Sequence, residues 1–119
     1  MAKGASPRAA ALTRAAPLFA ALGDQTRLRL VARLGAEGPL SITRLTAGTE
    51  VTRQAVTKHL EVLEGAGLAR STAKGRERLW QLRPEPLDAV RRALDLISRR
   101  WDESLGRLKA ALEESSTDS

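Results

Sequence analysis

Cysteine is absent from these 119 residues, histidine occurs once (His59), and the aromatics are one phenylalanine and two tryptophans with no tyrosine. Without cysteine there are no disulfides, thiolate metal sites, iron–sulfur clusters or catalytic thiol. A lone histidine withdraws most imidazole chemistry, so no metal site is expected. No apolar run approaches the roughly 20 residues of a bilayer span, so a soluble, cytoplasmic protein without a membrane partner is expected. No carboxylate pair or nucleophile–base set stands out, and Gly65-Ala66-Gly67 is too isolated to cradle phosphate. An enzyme is therefore not expected, nor any cofactor. Hydrophobic residues make up 42% of the chain with only 3% aromatic. The apolar content is thus almost all Ala, Leu and Val, the palette of one small helical core.

Charge is unevenly spread. Residues 1–83 carry 14 basic and 6 acidic side chains, a net of +8, whereas residues 84–119 carry 6 and 8, a net of −2. A positive field confined to one region suggests a polyanionic partner, most simply nucleic acid or an anionic membrane face. Solubility charge is the plain alternative.

Met1 to Ala16 is rich in Ala, Arg and Ser and has no acid. A transit peptide shares that composition, but a basic, flexible extension is the expectation here. Its Lys3, Arg8 and Arg14 could touch DNA phosphates. From Pro17 the pattern turns periodic. Pro17 suits a first helical position, with Leu18, Phe19 and Leu22 on one face up to Gly23. Asp24 caps a second helix with Leu28, Val31, Ala32 and Leu34 at helical spacing. Ser41 caps a short third helix with Ile42 and Leu45 inward. After the break at Gly48-Thr49-Glu50-Val51, Thr52 caps a fourth, running to about Gly65 with Ala55, Val56, Leu60 and Leu63 inward. Two helices joined by a short glycine-containing turn form a helix-turn-helix.

Gly67 switches the period. Leu68–Thr72 and Arg78–Leu82 read as two short strands joined by Ala73-Lys74-Gly75-Arg76-Glu77, a hairpin or wing rich in arginine and lysine. Pro84 and Pro86 interrupt the chain. From Leu87 to about Glu113 a long helix carries Leu87, Val90, Leu94, Ile97, Trp101, Leu105, Leu108 and Leu112 at gaps of 3, 4, 3, 4, 4, 3 and 4. This is a heptad stripe with one slip between Trp101 and Leu105. So small a domain cannot bury it alone, so a second copy is expected to cover it, with packing inside the monomer as the alternative. The expected fold is mainly α with a small β-hairpin. The expected organisation is an extension (1–16), a winged helix-turn-helix (17–83) and a C-terminal dimerisation helix with a short tail (84–119).

Ala21-Leu22-Gly23-Asp24-Gln25-Thr26-Arg27-Leu28-Arg29-Leu30 resembles the opening of the ArsR family of winged-helix transcriptional regulators. So does Val51-Thr52-Arg53-Gln54-Ala55-Val56-Thr57-Lys58-His59-Leu60, continuing to Leu68. The wing Lys74–Leu82 and the Arg100-Trp101 region are similar to a metal-independent branch, and the resemblance covers about residues 17–113. It implies a homodimer on a palindromic operator, usually a repressor. The family's metal sites need Cys and His clusters that this chain lacks, so metal sensing is disfavoured and any inducer, small molecule or protein, stays open.

The residues make their own case for double-stranded DNA as partner. Capping by Thr52 puts Arg53, Gln54, Thr57 and Lys58 on the face opposite Val56, Leu60 and Leu63. Arg53 suits guanine O6/N7 and Gln54 suits adenine N6/N7. Thr57 suits a thymine methyl or a phosphate, and Lys58 a phosphate. A merely solvated face is the alternative. Arg76 is expected at the wing tip, Arg78 on its flank, and Lys74 beside them. Ser41 is a cap that could also donate to phosphate, as could Thr43. His59 is placed with the DNA set as a phosphate contact or, alternatively, as an internal hydrogen bond. Leu18, Phe19, Leu22, Leu94, Ile97, Trp101, Leu105 and Leu108 are assigned to the dimer interface, and Trp80 to the core. A winged-helix module that binds a protein without reading DNA is the competing function.

Overall fold

The computed structural model describes residues 6–117; Lys3 and the rest of 1–5 lie outside it. Helix α1 spans Pro7–Leu22. Its start signal is Ser6-Pro7: the Ser6 hydroxyl accepts from the Ala9 N–H at 3.1 Å, and proline at the first position gives up no needed donor. The expected start at Pro17 and the flexible extension are therefore corrected for residues 7–16. Pro17 sits inside the helix on its exposed side, where its lost hydrogen bond borders solvent, while Ala15, Leu18 and Ala21 pack inward.

Helix α2 (Gln25–Glu37) is capped by Asp24, whose Oδ2 accepts from the Arg27 N–H at 3.0 Å. Its buried residues are Leu30 and Leu34; Leu28 is 52% exposed and Ala32 also faces out, contrary to expectation. Arg27 accounts for the rotation, because its side chain turns inward to the carbonyl of Ala21 and to His59. Strand β1 (Leu40–Ser41) leads into α3 (Ile42–Ala47). Helix α4 (Arg53–Gly65) begins at the Thr52 cap, whose Oγ1 accepts from Ala55 N–H at 3.2 Å, and buries Val56, Leu60 and Leu63.

Strands β2 (Ala69–Lys74) and β3 (Glu77–Leu82) pair antiparallel, with Lys74 opposite Glu77. The connection is thus two residues, Gly75-Arg76, rather than the five expected. Gly75 takes φ 62° while Arg76 stays negative, as a turn with glycine first requires. β1 adds a third strand on the other side of β3, a two-residue element too short to show periodicity. Leu40, Leu68, Ala69 and Trp80 close the sheet over α2 and α4 in one core with Leu30, Leu45, Leu60 and Leu63.

Helix α5 runs from Pro84 to Thr117, three residues earlier than expected, because both prolines fall in a first turn that needs no N–H donors. Val90 and Ala93 are buried, with Leu96 half-buried, on the face that α1 covers. Beyond Leu96 every side chain from Ile97 to Ser115 is exposed.

Candidate nucleic-acid interface

The first two turns of α4 leave Arg53, Gln54 and Lys58 exposed. Thr57 is half-exposed and its hydroxyl donates to the Arg53 carbonyl at 2.9 Å, which fixes its rotamer. The helix starts there because Val51 and Thr52 are held in a turn: Thr49 Oγ1 accepts from the Val51 N–H at 3.3 Å. Arg33 braces this turn from below, donating to the Leu45 carbonyl at 3.1 Å and pairing with Glu37 at 3.0 Å. Gly48 is needed for that approach, since a Cβ there would lie 2.8 Å from the Arg33 guanidinium.

Between α4, the start of α3 and the wing lies a cleft of about 320 Å³ whose walls include Thr43, Arg53, Thr57, Arg76 and Arg78. Three arginines thus line one groove, against one acid, Glu77. Lys74 and Arg76 sit at the hairpin end, exposed. Arg78 is steadied by donating from Nη1 to Ser71 Oγ at 2.8 Å across the strand pair. An exposed helix start with free N–H groups beside a basic hairpin can seat a phosphodiester backbone while short polar side chains reach base edges.

Two of the expected contacts are engaged within the fold, although Ser41 also lines the cleft. Ser41 is 8% exposed, paired in β1, and its hydroxyl is used to cap α3 through the Arg44 N–H at 3.2 Å. His59 is half-buried, its Nδ1 lying 3.2 Å from Arg27 Nη1, which donates to it, and 3.8 Å from Asp24. It ties α4 to the start of α2. The Asp24 carboxyl is held below the usual carboxylate range first by the Arg27 backbone N–H, opposed by desolvation and reinforced by His59.

The apolar set also divides. Leu18 is 8% exposed inside the monomer core, with Phe19 and Leu22 half-buried against it, so Leu18 is corrected from interface to core. Leu94, Ile97, Trp101, Leu105 and Leu108 are exposed by 41% to 64%. Trp80 is buried as expected. Sequence reasoning missed Leu12, which lines a shallow groove with Leu96, Ile97 and Trp101. It also missed Arg27. An arginine three residues after a capping aspartate was the available signal for the latter.

Residues 22–72 match the helix-turn-helix domain family. The chain is 42% identical over 85 residues to an HTH-type transcriptional regulator of Mycobacterium tuberculosis, covering 71% of this chain and 76% of that one. It is 41% identical over 76 residues to the uncharacterized HTH-type transcriptional regulator YuzN of Bacillus subtilis, covering 59% and 83%. Among solved structures, an ArsR-like transcriptional regulator from Rhodococcus superposes with a TM-score of 0.66 at 35% identity, covering 82% of this chain and 92% of that one. This chain belongs to the ArsR family of winged helix-turn-helix transcriptional regulators. As an ArsR-family protein it is a DNA-binding regulator, and its family is not one of enzymes. In this member of the family, α3 and α4 are the two helices of the helix-turn-helix and β2–β3 is its wing.

Proposed function

We propose that this protein is a cytoplasmic homodimer that represses transcription by occupying an imperfectly palindromic operator, with α4 in the major groove and the wing on the flanking backbone or minor groove. The observation that carries the reading is the groove where Arg53, Thr57, Arg76 and Arg78 converge beside the exposed start of α4. Arg53 and Gln54 read bases; Lys58, Lys74 and Arg76 hold phosphates. Arg78, tied to Ser71, positions the wing. A dimer is favoured by the exposed apolar stripe of α5, which a lone copy leaves in water.

The test is selection of a random duplex library on the purified protein at about 150 mM salt, a concentration at which non-specific phosphate binding is weakened. The expected result is an enriched inverted repeat whose half-sites are centred about 34–36 Å apart. Retention without enrichment would refute base reading. No retention, with tight capture of a protein partner instead, would favour the interaction-module reading.

A further inference from the structure

We infer that the cleft between α2 and the turn before α4 is a binding site for a small zwitterion with an apolar side chain, a free amino acid of the leucine or phenylalanine type. The site is built from residues that the DNA reading leaves unused, and it needs neither a dimer nor an operator.

The cleft measures about 680 Å³, about twice the groove beside the wing, and small-ligand pockets usually hold about 300–1,000 Å³. One wall is α2, where Thr26, Arg29 and Leu30 share a face at the three- and four-residue spacing of a helix. The other is the turn from Gly48 to Val51. Both walls are fixed before any ligand arrives. Arg33 lies against Gly48 and donates to the Leu45 carbonyl at 3.1 Å, which sets the distance between α2 and the end of α3. Thr49 Oγ1 closes the turn, donating to the Thr46 carbonyl at 3.2 Å and accepting from the Val51 N–H at 3.3 Å. A cleft formed in advance asks little ordering of the protein when a ligand enters.

The chemistry of the lining selects the occupant. Leu30, Ala32 and Val51 supply its apolar part. Among the described residues the Thr26 hydroxyl, the Arg29 guanidinium and the Glu50 carboxylate make no hydrogen bond or ion pair. Arg33 is already neutralised by Glu37 at 3.0 Å. What remains is one unpaired cation on the α2 wall and one unpaired anion on the turn. A simple carboxylate would leave Glu50 as an unanswered like charge, and a simple amine would leave Arg29 so. A zwitterion answers both. Its carboxylate accepts from Arg29 and from the Thr26 hydroxyl, its ammonium donates to Glu50, and its side chain covers Leu30, Ala32 and Val51. The turn leads into the Thr52 cap from which α4 starts, so an occupant bridging α2 to the turn also braces the seat of α4.

The test is an NMR titration of the isotope-labelled full chain with L-leucine and L-phenylalanine, each beside its two singly charged analogues. These are isocaproate and isoamylamine for leucine, hydrocinnamate and phenethylamine for phenylalanine. Backbone amides of residues 26–33 and 48–51 are expected to shift and to saturate below about 10 mM, with at least one amino acid binding about tenfold more tightly than either of its analogues. Arg29→Gln and Glu50→Gln, both at exposed positions, should each weaken the amino acid about tenfold. Glu50→Gln should at the same time tighten the carboxylate analogue, because it removes the like charge; a general loosening of the turn would weaken both. No shift at these amides with either amino acid would overturn the inference. So would analogues that bind as tightly as their parent, shifts confined to the α5 stripe, or a Glu50→Gln variant with the affinity of the wild type. None of these readouts uses DNA, so a failure of this site and a failure of the operator reading are told apart.

Discussion

The α4–wing surface and the distal half of α5 are both exposed, yet they are exposed for opposite reasons. Arg53, Gln54, Lys58, Lys74 and Arg76 are polar groups that water satisfies, and in the proposed complex a phosphate backbone or base edges replace it. Trp101, Leu105, Leu108 and Leu112 gain nothing from water and are between 56% and 64% exposed. The first surface is stable as it stands, and its partner adds specificity. The second is incomplete in a single copy, because roughly 25 cal/mol per Å² of apolar area is forfeited until something covers it. Binding DNA and the proposed binding of a second copy therefore differ in kind: one is salt-dependent, the other is set by apolar area.

The sharpest way to break that contrast is to compare a leucine on the inner face of α4 with one on α5. Leu60→Ala, at a fully buried site, should destabilise the fold by about 2–5 kcal/mol. Leu105→Ala should leave the unfolding of a diluted, monomeric sample unchanged. Equal losses in chemical denaturation would mean that α5 is packed within the monomer after all. Next in size, Trp101→Asp should weaken dimerisation by about 2–4 kcal/mol, read by sedimentation, with the circular dichroism of the monomer preserved. A dimer of unchanged affinity would remove Trp101 from the interface.

Smaller effects sharpen the DNA side. Arg53→Ala should lose about 1–3 kcal/mol on the preferred sequence and relax selectivity at one base position. Lys58→Ala should weaken all sequences alike and reduce the salt slope by about one unit, since it removes one phosphate contact. If the two variants behaved identically, the division between reading and holding would be wrong. The smallest effect concerns Asp24, which belongs to neither surface but anchors α2 against α4 through His59. Its carboxyl is lowered in the folded state, so its contribution is complete above its unfolded value of about 3.9 and is lost as pH falls through the lower folded value. Asp24→Asn keeps a capping oxygen without the titration, so its stability should fall off less steeply on acidification below about pH 4.

The legible parts of the chain were those with local chemistry. Asp24, Ser41 and Thr52 each cap a helix, Gly75 turns the wing, and Trp80 enters the core, all from residue type and neighbours. The start of α1 was equally local, a serine followed by proline at Ser6-Pro7, but Pro17 inside the helix masked it. The stripe on α5 was legible as a stripe, since all eight of its members keep helical spacing. Its inner boundary was not: Val90 is taken up by the monomer and Leu94 is not, which depends on where α1 lies.

The sequence by itself determined the element order, the caps, the exposed polar face of α4 and the existence of an uncovered apolar stripe, because each follows from side chains within a few residues of one another. Only tertiary structure decided where Ser41, His59 and Leu18 point. Ser41 is drawn into a strand pair with Leu79, His59 is turned inward by Arg27 from a helix 32 residues away, and Leu18 is buried in the core. These side chains have acceptable roles on either side of the surface, and packing between distant segments is what chooses.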